Sequence, residues 1–174
     1  MGSLTQRMAG GFHVPDDPTL LAELGRVSVL HSHLDYILKM TIRTLSGVSV
    51  HEVRDATTYE SSSSLRERIK KLARQAIGEG PALIKLQALM QRCKRATERR
   101  NALVHGIYAK DMDGGEPIMS DADWSWKSQP SLDELKELSS ELETLTNEIN
   151  NARFHGFLAE ALLGKGSKRA DFDR

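Results

Sequence analysis

The chain has 174 residues, and 24 Lys and Arg balance 24 Asp and Glu, so its formal net charge is zero. This length favours one domain, and the neutral balance excludes bulk attraction to nucleic acid, so any nucleic-acid binding must come from a local patch. The single cysteine, Cys93, excludes an internal disulfide and is predicted to be a buried packing residue. No apolar run is long enough to span a membrane, and the N-terminus lacks the apolar core of a signal peptide. A cytoplasmic protein is therefore expected.

The N-terminal part of the chain is predicted to be a loose arm followed by a long helix. Residues 1–16 contain glycines and show no periodicity, which predicts a flexible arm. Asp17-Pro18 is a helix start and Gly47 is a helix stop. His31 lies on the apolar stripe of this helix, and Asp35 lies at its margin one turn later. One interpretation is a semi-buried polar pair, since one His and one Asp are too few ligands for a metal site.

Two capping boxes predict the next two helices. Ser49-x-x-Glu52 opens a short helix to about Tyr59, and Ser64-x-x-Glu67 opens a second helix to Gly78. The second helix has a narrow apolar stripe, and basic side chains cover the rest of its surface: Arg66, Arg68, Lys70, Lys71 and Arg74. This basic face is interpreted either as a solvated surface or as a wall of a phosphate-binding groove.

Gly80-Pro81 opens the helix that carries the most informative residues of the chain, predicted to reach about Ile107. Thr97 and Arg100 lie on its apolar stripe. A cation on such a stripe must extend to solvent, find a partner, or face a cavity or a second subunit. A separate face of the helix is basic and is interpreted as either solvated or RNA-binding; it consists of Arg92, Arg95 and Arg99.

The end of this helix, Arg100-Asn101-Ala102-Leu103-Val104-His105, resembles the motif of the HEPN superfamily, in which an arginine, a polar residue and a histidine lie late in a helix of an all-α bundle. Gly106 extends the resemblance to the RNxxxHG form. The resemblance implies a catalytic Arg100 and His105, a supporting Asn101, and Asp35 as a candidate partner of Arg100. It implies no cofactor and no metal. It also implies a homodimer that binds RNA or a nucleotide, with a cognate antitoxin as a further partner in a toxin or phage-defence context.

The chemistry of these residue types suits metal-independent RNA cleavage. A histidine with a reference pKa near 6.5 can take the proton of a ribose 2′-hydroxyl, and an arginine can neutralise the phosphoryl oxygens. His105 follows Arg100 by five residues, about 140° around an ideal helix, so the two share a face only if the last turn loosens. The predicted function is an endoribonuclease that leaves 2′,3′-cyclic phosphate and 5′-hydroxyl ends. The alternative is a non-catalytic helical module that binds a nucleotide, RNA or a protein.

Residues 107–130 change character and predict a β-hairpin or ordered loop inserted beside the motif. Asp113-Gly114-Gly115 is a turn signal, and Trp124-Ser125-Trp126 alternates as a strand does. The two tryptophans are either a packing cover or a base-stacking surface. Ser131-x-x-Glu134 opens a last helix to Gly164. The predicted fold class is therefore all-α, a bundle of four or five helices over residues 17–164, with a disordered tail at 165–174.

Overall fold

The computed structural model describes residues 10–111, 115–120 and 125–170, and all structural statements below apply to these residues. They are mostly helical and include a small antiparallel sheet. The helices are α1 (Pro18–Ser46), α2 (Val50–Thr57), α3 (Ser62–Ile77), α4 (Pro81–Val104), α5 (Leu132–Phe154) and α6 (Phe157–Ala170). The strands are β1 (Gly10–Phe12), β2 (Ile107–Asp111), β3 (Ile118–Ser120) and β4 (Trp126–Ser128). The coarse prediction of a helical chain with a small β insertion is therefore confirmed.

Helix α1 begins and ends where its capping residues predict. The Asp17 carboxylate accepts hydrogen bonds from the backbone amides of Thr19 at 2.8 Å and Leu20 at 3.4 Å. Gly47 has a φ of 71° and donates its amide to the Arg43 carbonyl at 2.9 Å. A glycine suits this left-handed conformation because it has no Cβ to clash with the backbone.

Two of the three predicted capping boxes are present, at Ser49 and at Ser131. The predicted start of α3 at Ser64 is wrong, because Ser61 is the N-cap and accepts the Ser64 amide at 3.2 Å. Four consecutive serines offer competing hydroxyl groups at this point. Glu67 does not reach back to the helix start, since its carboxylate binds Lys70 at 2.8 Å.

The predicted single helix from Ser131 to Gly164 is two helices. Helix α5 ends at Phe154, and the amides of His155 and Gly156 both donate to the Asn151 carbonyl at 2.9 Å. Helix α6 then continues through Gly164 and Gly166, because a single glycine within a helix costs only about 1 kcal/mol. Helix α6 includes residues 165–170 of the tail that was predicted to be disordered, and residues 171–174 lie outside the described part.

The predicted flexible arm at 1–16 includes a strand. Strand β1 pairs antiparallel with β2, with Gly10 opposite Asp111 and Phe12 opposite Ala109. The next amide, that of His13, donates to the Tyr108 carbonyl at 2.9 Å. Glycine is rare within strands, so nothing local predicted this pairing. Residues 1–9 lie outside the described part.

The insertion after the motif completes an antiparallel sheet in the order β1-β2-β3-β4. Strands β2, β3 and β4 follow one another along the chain, each paired with the next. Strand β3 covers Ile118–Ser120, and the predicted strand character is confirmed at Trp126. Asp113, Gly114 and Trp124 lie outside the described residues.

The hydrophobic core lies around α1, which contacts α2, α3, α4 and α5. Its buried side chains include Leu34, Leu38 and Ile42, and α5 contributes Leu138 and Leu142. Burying one such side chain contributes about 1.5–3 kcal/mol, so this apolar contact is the main source of stability. Cys93 is also in this core, fully buried, as predicted. No helix of the described residues combines the length and apolar character needed to cross a membrane.

Candidate functional site

The motif residues lie at the C-terminal end of α4. The helix ends at Val104, and not at Ile107 as predicted, because the chain turns at once into β2. His105 is the C-cap, and its amide donates to the Asn101 carbonyl at 2.9 Å. The His105 side chain is exposed to solvent.

Arg100 lies half-buried in a cavity of about 490 Å³ between α1, α3 and α4. Its Nη1 donates to the Asn101 side-chain oxygen at 3.0 Å. Its Nε is buried and has no hydrogen-bond partner among the described residues. Asn101 thus accepts one of the five N–H groups of the guanidinium of its neighbour.

Asp35 is not the ion-pair partner of Arg100, which corrects the sequence prediction. No carboxylate of the described residues lies within 4.0 Å of the Arg100 guanidinium. Instead, Asp35 accepts a hydrogen bond from the Ser62 hydroxyl at 2.6 Å, and its other oxygen lies 3.6 Å from Nδ1 of His31. The predicted proximity of His31 and Asp35 is confirmed. Asp35 lines the same cavity as Arg100, but Ser62 and His31 occupy its oxygens.

His31 is buried, and the hydrogen bonds around Thr97 determine its tautomer. The single hydroxyl proton of Thr97 is donated to the Cys93 carbonyl at 2.8 Å. Nε2 of His31, 3.2 Å from Thr97 Oγ1, must therefore carry a proton and donate it. Burial lowers the pKa of His31; Asp35 opposes this shift, whereas Arg100 and Arg66 add to it.

Arg66 belongs to this site, so of the two interpretations of the basic face of α3, the solvated surface does not hold for this residue. Only 6% of its surface is exposed, and its Nη1 donates to Thr97 Oγ1 at 3.3 Å. No carboxylate of the described residues lies within 4.0 Å of its guanidinium. A signal was present, because Arg66 precedes the buried Ile69 and Ala73 by three and seven residues, the spacing of one helical stripe.

The remaining charges that line the cavity are paired. Lys94 Nζ lies 3.7 Å from Glu98, and Glu60 accepts from Arg68 at 2.6 Å. The cavity thus contains the two guanidinium groups described above, opposed by the carboxylate of Asp35. Two guanidinium groups that have no carboxylate within 4.0 Å among the described residues, together with several hydroxyl groups, suit an anionic ligand.

No protein-family model, curated protein or solved structure matches the chain. The site must therefore be judged on its own chemistry. Among the residues that the structure describes, no group of three or more His, Cys, Asp or Glu side chains is arranged to hold a metal ion.

The basic face predicted to bind RNA is largely neutralised by α5. Arg92 forms ion pairs with Glu141 at 3.1 Å and with Glu148 at 2.5 Å, and hydrogen bonds to these carboxylates raise its pKa. Arg99 pairs with Glu137 at 3.2 Å. Arg95 is exposed and forms no ion pair with a described residue. Of the three predicted RNA-binding arginines, only Arg95 presents an uncompensated charge.

His105 does not line the cavity that holds Arg100. The two residues predicted to act together in catalysis therefore occupy different surfaces of one chain. The helical geometry explains this separation, since α4 stays regular through Val104 and the last turn does not loosen. Trp126 is half-buried on β4, which leaves both interpretations of the tryptophans open.

Proposed function

We propose that this chain is a metal-independent endoribonuclease of HEPN type that cleaves single-stranded RNA. The observation that carries the proposal is the Arg100 guanidinium, which lies half-buried in a polar cavity without a carboxylate within 4.0 Å among the described residues. A cation in this setting is suited to an anionic substrate group. The resemblance of residues 100–106 to the HEPN motif favours RNA as that substrate.

In the proposed reaction, an imidazole takes the proton of a ribose 2′-hydroxyl, and the 2′-oxygen attacks the adjacent phosphorus. The bond to the 5′-oxygen breaks, and a protonated imidazole returns a proton to that leaving oxygen. Arg100 donates to the phosphoryl oxygens as their charge develops. The products are a 2′,3′-cyclic phosphate and a 5′-hydroxyl end.

A homodimer is part of the proposal. His105 lies outside the cavity of its own chain, so in this proposal a second copy brings its exposed His105 imidazole to Arg100. Two chains also supply two imidazoles, one for the base and one for the acid. A toxin or phage-defence role with a cognate antitoxin is proposed from the resemblance alone, as is a cytoplasmic location.

The test is a cleavage assay with labelled RNA and its all-DNA counterpart, with and without a chelator. His105→Ala is expected to lower the cleavage rate by roughly 10²-fold or more, and Arg100→Gln to lower it comparably. His155→Ala is the matched control, because His155 is also an exposed helix C-cap followed by a glycine. Chelator-resistant cutting of RNA alone, lost in the first two variants only, is the expected result. Full activity in His105→Ala contradicts the catalytic role.

A non-catalytic module that binds a nucleotide, RNA or a protein is the second candidate. Two observations favour it: His105 lies outside the cavity, and α5 neutralises Arg92 and Arg99. Absence of cutting over a broad RNA panel by a folded, dimeric protein selects this candidate over the nuclease.

A further inference from the structure

Two guanidinium groups from different helices line one cavity. Arg66 comes from α3, and Arg100 comes from α4. Both lie close enough to His31 to lower its pKa, so the two positive charges act on the same small volume. Among the residues that the structure describes, no carboxylate lies within 4.0 Å of either guanidinium.

Arg66 is the more unusual of the two because it is 6% exposed. Its hydrogen bond to the Thr97 hydroxyl satisfies one donor but supplies no negative charge. A guanidinium has five N–H donors, and burying its charge without an anion is unfavourable. Arg66 is thus a buried guanidinium without an ion-pair partner among the described residues.

The three carboxylates that line the cavity, those of Asp35, Glu60 and Glu98, each lie against another group. Asp35 accepts from Ser62 at 2.6 Å and faces His31, as described above. Ser62 and Ser63 line the cavity at the beginning of the 16-residue α3, where free amides and the helix dipole favour an anion. Charge, hydroxyl groups and helix end all point to a ligand with negatively charged oxygens.

We propose that Arg66 and Arg100 together bind one phosphoryl group in this cavity, and that Arg66 is a substrate-binding residue. The assignment of this group to RNA rests on the proposed function, whereas the phosphoryl site itself does not depend on cleavage. The forked donors of a guanidinium match two oxygens of a phosphate. The cavity of about 490 Å³ is within the usual size of small-ligand sites. Thr97 is a positioning residue, since it orients both Arg66 and His31.

The test measures binding separately from cleavage. One probe is a labelled all-2′-O-methyl oligonucleotide, which keeps its phosphodiesters but has no 2′-hydroxyl to attack. Its affinity is measured by fluorescence anisotropy over a salt series. The second probe is adenosine 5′-monophosphate, measured by calorimetry beside adenosine, which lacks the phosphoryl group. These two probes distinguish a nucleic-acid phosphate from a free nucleotide phosphate.

The variants remove the charge of Arg66, retain it, or remove the charge of a different arginine on the same helix. Arg66→Met removes the charge at similar volume, and Arg66→Lys keeps the charge but loses the fork. Arg74→Gln is the matched control, because Arg74 is an exposed arginine of the same helix that pairs with Glu79 at 2.8 Å. Arg66→Met is expected to weaken binding of at least one probe by tenfold or more. For the oligonucleotide, it is expected to lower the slope of log K against log salt by about one. Arg66→Lys is expected to fall between Arg66→Met and the wild type, and Arg74→Gln is expected to match the wild type.

Thermal unfolding separates a binding role from a structural one. Arg66→Met is expected to have a Tm equal to or above that of the wild type without ligand, since a buried unpaired charge is removed. A lower Tm together with unchanged affinity for both probes overturns the proposal. The proposal is also overturned if the wild type binds neither probe.

Cleavage of unmodified RNA by the same proteins distinguishes this inference from the proposed function. If the wild type cuts RNA and Arg66→Met cuts it with unchanged kcat and KM, the inference fails and the nuclease stands. If the wild type does not cut but binds a probe in an Arg66-dependent manner, the nuclease fails and the phosphoryl site stands.

Discussion

Gly106 lies directly after His105, at a point where the protein has no room for a side chain. A Cβ at this position would lie 2.6 Å from the Ala102 carbonyl oxygen, 2.9 Å from the Ser120 carbonyl oxygen and 2.7 Å from Cε of Met119. The two oxygens are backbone atoms of α4 and β3, and Met119 is 1% exposed, so its methyl group has little space to move. Gly106→Ala must therefore displace the end of α4 from the sheet.

The expected cost follows from these contacts. Overpacking of a filled site costs about 1–3 kcal/mol, and two backbone neighbours place Gly106→Ala near the upper end of this range. The substitution also lowers the conformational entropy of the unfolded chain, which stabilises the protein by about 0.4–1 kcal/mol. We therefore expect the free energy of unfolding to fall by about 2 kcal/mol, which corresponds to a Tm lower by about 4–8 °C for a chain of this size.

Gly25→Ala is the matched control, because nothing lies within 4 Å of a Cβ at this position within α1. The same substitution is expected to stabilise the protein there by about 0.5–1 kcal/mol. Urea-induced and thermal unfolding followed by circular dichroism measure both variants. Since His105 adjoins the displaced segment, Gly106→Ala is also expected to slow any RNA cleavage. Equal stability of Gly106→Ala and the wild type would refute the steric argument.

Three further predictions concern stability, capping and thiol reactivity. Because burial lowers the pKa of His31 from 6.5, the unfolded chain binds its proton more readily, so the free energy of unfolding should fall as the pH drops below 6.5. His31→Gln should weaken this dependence in urea titrations across pH, and an unchanged dependence contradicts the assignment. Ser131→Ala should cost about 1 kcal/mol in the same assay, because the Glu134 amide loses its acceptor at the start of α5; no loss would show that the capping box is dispensable. Burial raises the pKa of Cys93 to about 12, so a thiol reagent should modify it only when the protein unfolds, and rapid labelling of the native protein contradicts this expectation.

The ends of several helices were predictable because the signals are local. Asp17, Gly47 and the serines of two capping boxes act on amides or carbonyls within four residues of themselves. Such contacts depend on the neighbouring sequence alone. The break between α5 and α6 was missed because the apolar stripe continues across His155-Gly156 and no proline interrupts it.

The contents of the candidate site were less predictable, because its contacts join distant parts of the chain. Asp35 binds Ser62, 27 residues later, and Arg66 binds Thr97, 31 residues later. The position of Arg100 on the apolar stripe is visible in the sequence, and a cavity was one of the four settings that this position left open for its charge. The absence of an ion pair between Asp35 and Arg100 was not predictable. Several donors lie within reach of the Asp35 carboxylate, and only the packing of the helices determines which of them it binds.

The pairing of β1 with β2 has a consequence for the order in which the protein folds. Residues 10–12 meet residues 109–111, so this ladder closes a loop of about 100 residues, and the entropy of that closure must be offset before its few hydrogen bonds contribute. Helices α1, α2, α3 and α4 lie between the two strands and also contact one another over shorter sequence separations, and these contacts can form first. Strand β2, which follows His105, is therefore expected to pair with β1 late in folding. Among the strands of the sheet, β1 is expected to open at the lowest free energy. Amide hydrogens of β1 should accordingly exchange with solvent before those shared by β2 and β3.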